Sequence, residues 1–136
     1  MDYPLDLSVI VPLYNEEASL PELTEWIGRV VAAQGWKHEV ILIDDGSTDG
    51  SWSVIESLRE KDPAIHGIRF RRNYGKSAAL FCGFKEARGR VVITMDADLQ
   101  DSPDEMPELY RMVVEESSRF TAGVRHCSGS LTVIPV

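Results

Sequence analysis

Four repeats of a short apolar run followed by a longer amphipathic stretch predict an α/β fold, a mostly parallel sheet covered by helices on both faces. Two further observations agree. Runs such as Val9-Ile10-Val11 and Val91-Val92-Ile93 are apolar at consecutive positions, as strands buried on both faces require. Each run also ends in a polar cluster, and ligands of such sheets bind beyond the carboxyl ends of the strands.

The elements follow in order. Leu7-Ser8-Val9-Ile10-Val11-Pro12-Leu13 reads as the first strand. A helix over 18–34 follows, with Leu20, Leu23, Ile27, Val30 and Val31 on one face. Glu39 to Asp44 is the second strand. Ser47, Thr48 and Asp49 offer caps for a second helix over 50–61, which Pro63 prevents from continuing. Ile65 to Arg71 is a third, weaker strand. The third helix covers 76–88, with Gly89 as its stop. Arg90 to Asp96 is the fourth strand. Pro103 suits the first turn of a fourth helix over 103–116, and a fifth strand is expected over 118–124.

The chemistry concentrates at the strand ends. The first delivers Pro12-Leu13-Tyr14-Asn15-Glu16-Glu17 and the second Asp44-Asp45-Gly46-Ser47-Thr48-Asp49-Gly50. The third delivers Arg71-Arg72-Asn73-Tyr74-Gly75-Lys76-Ser77 and the fourth Asp96-Ala97-Asp98-Leu99-Gln100-Asp101. In extended backbone, residues two apart point the same way, so Asp96, Asp98 and Gln100 would share a side. Paired carboxylates repel unless a cation joins them, and Mg²⁺ or Mn²⁺ takes such oxygens together with substrate phosphates. An isolated Asp-x-Asp is more often a solvated turn. At the end of a buried strand, beside three other polar loops, the metal reading is preferred. Asp44 and Asp45 read either as part of a turn and cap alone, or as a pair with one carboxylate in the turn and one accepting from a base or ribose. Tyr14 either lies against a base or is a half-buried aromatic.

Charge is also partitioned. Residues 69–90 hold seven basic side chains and one acidic, Glu86, whereas 96–116 hold eight acidic and one basic, Arg111. Arg71 and Lys76 are placed to meet phosphates, with Gly75 allowing close backbone approach at a helix N-terminus that favours anions. His38, His66 and His126 lie away from these motifs and read as incidental.

Together these four motifs, in order across about 100 residues, resemble the family 2 glycosyltransferases. The most similar branch is the dolichyl- or polyprenyl-phosphate mannosyl- and glucosyltransferases. The resemblance implies a GT-A, Rossmann-like fold, a UDP- or GDP-sugar donor, inversion at the anomeric carbon and a lipid-phosphate acceptor. By matching position it puts Pro12, Tyr14, Glu16, Asp44, Asp45 and Asp96 on the nucleotide. Asp96, Asp98 and Gln100 would hold Mg²⁺ or Mn²⁺, and Arg71, Lys76 and Arg125 would face the phosphates. No catalytic base is assigned. A phosphate monoester is already anionic near neutral pH and needs little help from one.

Composition bounds the rest. The chain has 136 residues, a formal charge of -8 and a pI near 4.8. That length suits one domain, and the acidity is a poor match for a nucleic-acid partner. Cys82 and Cys127 are too few for a disulfide scaffold; Cys82 reads as a small buried side chain and Cys127 as a loop thiol. No basic leader region and no apolar run near the roughly 20 residues of a membrane span is present, so a reduced, cytoplasmic chain is expected. No Gly-x-Gly-x-x-Gly follows the first strand, which excludes a dinucleotide oxidoreductase. Residues 1–126 are assigned to nucleotide-sugar binding and 127–136 to a tail from an incomplete acceptor region. Membrane association is expected only at the cytoplasmic face, through further sequence or a partner. The competing expectation is a module that binds nucleotide-sugar without turning it over.

Overall fold

The computed structural model describes residues 3–117, 125–127 and 131–135, and the side chains of 3–115. Four strands form a parallel sheet: β1 (Leu5–Leu13), β2 (His38–Asp44), β3 (Ile65–Arg69) and β4 (Gly89–Thr94). The helices between and after them are α1 (Leu20–Gln34), α2 (Ser51–Lys61), α3 (Lys76–Glu86) and α4 (Met106–Ser117). Two antiparallel strands follow, β5 (Arg125–Cys127) and β6 (Leu131–Pro135), and the order across the sheet is β3-β2-β1-β4-β6-β5.

This order fixes where the helices go. The chain steps from β1 to β2 to β3 in one direction, then crosses back past β1 to reach β4. Right-handed crossovers therefore put α1 and α2 on one face and α3 on the other. Two cores result. Val9 and Val11 of β1 join Val40, Leu42, Val91 and Ile93 beneath Leu23, Ile27, Ile55, Met106 and Leu109. Ile10, Ile41, Ile43 and Val92 face the other way, against Ala79 of α3. Alternate residues of each strand thus reach opposite cores, as the consecutive apolar runs require.

Several boundaries depart from the sequence reading. α3 stops at Glu86, and Gly89 is the first residue of β4. A Cβ there would lie 2.5 Å from the Ser8 backbone N, so Gly89 serves close strand approach and not helix termination. A 3₁₀ turn, Pro103–Glu105, precedes α4. Leu131–Pro135, read as part of a tail, pairs with β4 through Val92 opposite Ile134 and Thr94 opposite Thr132. The strand expected over 118–124 lies outside the described residues. Cys82 is half-buried, and the side chain of Cys127 is outside the described residues.

The sheet's amino-terminal end holds a network that the sequence reading missed. Glu39 is buried, and its Oε2 accepts from Ser8 Oγ at 2.6 Å and Arg88 N–H at 2.8 Å. Its Oε1 lies 3.5 Å from His66 Nε2 and 3.4 Å from Arg88 Nη2. Ser8 Oγ in turn accepts the Gly89 N–H at 2.8 Å. His66 thus lies at the sheet end away from the strand-end motifs, with Glu39 as a neighbour. The signal is a Glu at the head of an apolar run, which must find partners when buried.

Candidate nucleotide-sugar site

The strand order reverses between β1 and β4, and a crevice opens at such a switch point. A pocket of about 160 Å³ lies there, lined by Pro12, Leu13, Tyr14, Asp45, Lys76 and Asp96. Five sequence-selected residues thus converge from four loops: Pro12, Tyr14, Asp45, Lys76 and Asp96. Glu16, Asp44, Arg71, Asp98 and Gln100 are not among the lining residues. Arg125 begins β5, and its side chain is outside the described residues.

Each loop is held by side-chain bonds to backbone. Asp44 is buried, and its Oδ1 accepts the Ser47 N–H at 2.8 Å, the turn role expected of one member of the pair. Asp45 is also buried; its two oxygens accept the N–H groups of Tyr74 at 2.7 Å and Gly75 at 3.1 Å. Gly46 follows at φ +76, where a Cβ would meet the Arg72 carbonyl carbon at 2.2 Å. The end of β2 is thereby fastened to the loop that carries Arg71, Arg72 and Lys76.

Asn15 does similar work between the first two loops. It sits at φ 54, a conformation Asn tolerates better than most residues. Its Oδ1 accepts from the N–H groups of Thr48 at 2.8 Å and Asp49 at 3.2 Å, and its own N–H donates to Ser47 Oγ at 2.8 Å. No ligand role follows for Asn15 from its sequence position; an Asn at a strand end is its own signal for such a turn. Glu16 turns toward α1, where its Oε2 accepts from Ser19 Oγ at 3.0 Å. Asp49 accepts from Ser51 Oγ at 2.6 Å and N–H at 2.9 Å, and the Ser51 hydroxyl bond holds its carboxyl below the usual range.

The fourth loop differs from the extended form expected. β4 ends at Thr94, and Leu99 adopts φ 66, so the chain turns between Asp96 and Gln100. The alternation that put Asp96, Asp98 and Gln100 on one side does not apply to a turn. Asp101 is buried and accepts the Asp96 N–H at 3.0 Å, closing the turn. Asp98 is exposed, with Oδ1 accepting the Gln100 N–H at 3.2 Å. Asp96 Oδ1 lies 2.8 Å from Lys76 Nζ. Among the described residues, no three His, Cys, Asp or Glu side chains gather into a metal cage. Arg71 and Arg72 are exposed, and the Arg72 guanidinium covers the Tyr74 ring at 4.9 Å.

Comparison with known proteins now bears on this geometry. The sequence profile of the family described as Glycosyl transferase family 2 matches residues 8–134. The chain belongs to that family. Its fold is the GT-A fold of the family 2 glycosyltransferases. An undecaprenyl-phosphate 4-deoxy-4-formamido-L-arabinose transferase of Pseudomonas aeruginosa is 47% identical over 109 residues, 79% of this chain and 32% of that protein. The protein of the same name from Shewanella sediminis is 46% identical over 104 residues, 76% of this chain and 31% of its own length. This family 2 chain therefore spans about a third of the curated relatives it matches. Among solved structures, a mannosyltransferase from Pyrobaculum calidifontis in complex with GDP-Man and Mn²⁺ superposes with a TM-score of 0.77 at 25% identity, covering 98% of this chain and 45% of that one. TarS of S. aureus in complex with UDP gives a TM-score of 0.61 at 25% identity, covering 82% and 32%. No helix among the described residues is long and apolar enough to cross a membrane.

Proposed function

We propose that this chain forms the nucleotide-sugar-binding part of an inverting, metal-dependent glycosyltransferase that moves a sugar from a UDP- or GDP-sugar to a polyprenyl phosphate. The observation that carries the reading is the pocket at the switch point, where an aromatic wall, a carboxylate and a basic group meet. Tyr14 and Pro12 offer a nucleoside an apolar edge, and Asp45 an acceptor for base N–H or ribose hydroxyl. Lys76 offers positive charge to a diphosphate. α3 has no acidic residue in its first turn, and beyond the Gly75 N–H held by Asp45 its helix start suits phosphate oxygens.

The donor set also fits a divalent cation. Asp96 already holds a cationic group, the Lys76 ammonium, at 2.8 Å. Asp96, Asp98 and Gln100 offer oxygen, the atom Mg²⁺ and Mn²⁺ prefer, and substrate phosphates usually complete such sites. When bound, the ion would stabilise the negative charge leaving with the diphosphate. In the transfer, a lipid phosphate oxygen attacks the anomeric carbon. The bond from that carbon to the diphosphate breaks, and its electron pair departs with the nucleotide. The attacking oxygen is anionic at neutral pH, so no proton must be removed. The task of the chain's own residues is to bind and orient the donor. Arg71 and Arg125 are assigned to the phosphates and Glu16 to the nucleoside pocket, while Asp44, buried and bonded to the Ser47 N–H, would act by shaping the loop behind that pocket. The names of the relatives favour the polyprenyl phosphate acceptor, and a lipid acceptor would bring the chain to a membrane face, assigned here to the cytoplasmic side.

The test is calorimetry of UDP and GDP with the chain, with and without Mn²⁺ or Mg²⁺. At least one nucleotide should bind, and more tightly with metal; no metal-dependent binding of either would sink the reading. Transfer of sugar onto polyprenyl phosphate tests the catalytic part of the reading, since turnover excludes a module that only binds nucleotide-sugar.

A further inference from the structure

Lys76 occupies the first position of α3, where positive charge opposes the helix dipole. No acidic residue in that turn offsets it. The side chain is 56% exposed, so core packing does not explain it either. Its one ion pair among the described residues is with Asp96 Oδ1 at 2.8 Å. The carboxylates of this edge are met in different ways. Both Asp45 oxygens accept backbone N–H groups, and Asp98 Oδ1 accepts one. Asp96, which lines the pocket with Asp45 and Lys76, meets a full positive charge.

We propose that Lys76 is an exchangeable counter-ion. It neutralises Asp96 while no donor is bound, and it turns to the diphosphate oxygens when nucleotide and divalent cation enter together. The inference rests on the donor reading given above and adds an order of events to it. A cation arriving alone must compete with the ammonium for Asp96. A cation arriving with a diphosphate gives the ammonium a new anionic partner. Lysine suits the exchange because it is a point charge on a flexible four-carbon stem, able to change partners without moving the backbone. The pair therefore disfavours metal alone and favours joint binding, which is a coupling free energy shared by both ligands.

Two measurements on Lys76→Met test this, because they should move in opposite directions. Free Mn²⁺ measured by electron paramagnetic resonance gives the metal affinity of the nucleotide-free protein. Calorimetry at saturating Mn²⁺ gives the affinity for UDP or GDP. Lys76→Met should bind Mn²⁺ alone several-fold more tightly, and bind the nucleotide about tenfold more weakly, the scale of one lost charge-assisted hydrogen bond. Lys76→Arg, which keeps the charge, should retain the weak affinity for Mn²⁺ alone. Weaker nucleotide binding with no gain in Mn²⁺ affinity would make Lys76 a phosphate ligand only and overturn the exchange. No change in either quantity would overturn it as well. Absence of Mn²⁺-dependent nucleotide binding in the unmodified chain would instead remove the donor reading itself.

Discussion

Asp45 links the pocket to the loop opposite it, and its substitution separates the two roles a buried carboxylate can have. Asp45→Asn keeps the shape but turns one acceptor into a donor facing the N–H of Tyr74 or Gly75. Leaving such a buried group unsatisfied costs about 1–3 kcal/mol, so urea unfolding should show a loss of that size. Asp98 is exposed, with a single bond to its own turn. Asp98→Ala should leave stability within about 0.5 kcal/mol while removing the metal-dependent part of nucleotide binding. Unchanged metal dependence would count against Asp98 as a ligand. His38 supplies a pH test. Burial holds its imidazole below the usual pKa, against the upward pull of Asp62 and Glu39. The unfolded chain therefore takes up a proton first as pH falls below about 6.5, and that stability is present above this pH and lost on the acid side. In His38→Gln the acid-side loss should be smaller than in the unmodified chain, measured by unfolding above and below that pH. At this scale the residue types at the strand ends were readable, because carboxylates and lysine after apolar runs are conspicuous. The turn at Leu99 was not readable. It depends on Asp101 closing back onto the Asp96 N–H, a bond that no alternation pattern encodes.

Elements explain why those residues meet. The loop from Arg71 to Gly75 has little regular structure, yet Asp45 and Gly46 pin it to the end of β2. Gly46→Ala would need a Cβ at 2.2 Å from Arg72 backbone, at a φ of +76 that L residues rarely adopt. Neither contact can relax cheaply, so a loss of about 1–3 kcal/mol is expected in thermal or urea unfolding, with weaker nucleotide binding beside it. A variant as stable as the parent would show that the loop is not fastened there. Apolar periodicity reveals α1 and α4 and the strand cores, because burial of one face is what makes these segments regular. Their ends are less readable. α3 stops before Gly89 because that glycine is needed against Ser8 of β1, a constraint set by a strand some 80 residues earlier.

At the scale of the whole molecule, the strand order makes the site. The sheet reverses between β1 and β4, so the loops after β1, β2, β3 and β4 face one another at a single edge. The alternating pattern implies a parallel sheet, but it does not show that β6 lies antiparallel beside β4, since a short apolar segment reads equally as tail or strand. Glu39 fastens the opposite edge by gathering Ser8 of β1, His66 of β3 and Arg88, the residue before β4. Glu39→Ala should lower stability by about 1–3 kcal/mol, the cost of leaving the buried Ser8 hydroxyl without its acceptor, with little change in nucleotide affinity. The central claim is that the pocket of Pro12, Tyr14, Asp45, Lys76 and Asp96 takes a nucleoside diphosphate together with a divalent cation. Calorimetric titration of UDP and GDP in the presence and absence of Mn²⁺ measures this directly. Saturable binding of at least one nucleotide, strengthened by Mn²⁺ and weakened by Asp98→Ala, is the expected result; no binding, or binding indifferent to the metal, contradicts it.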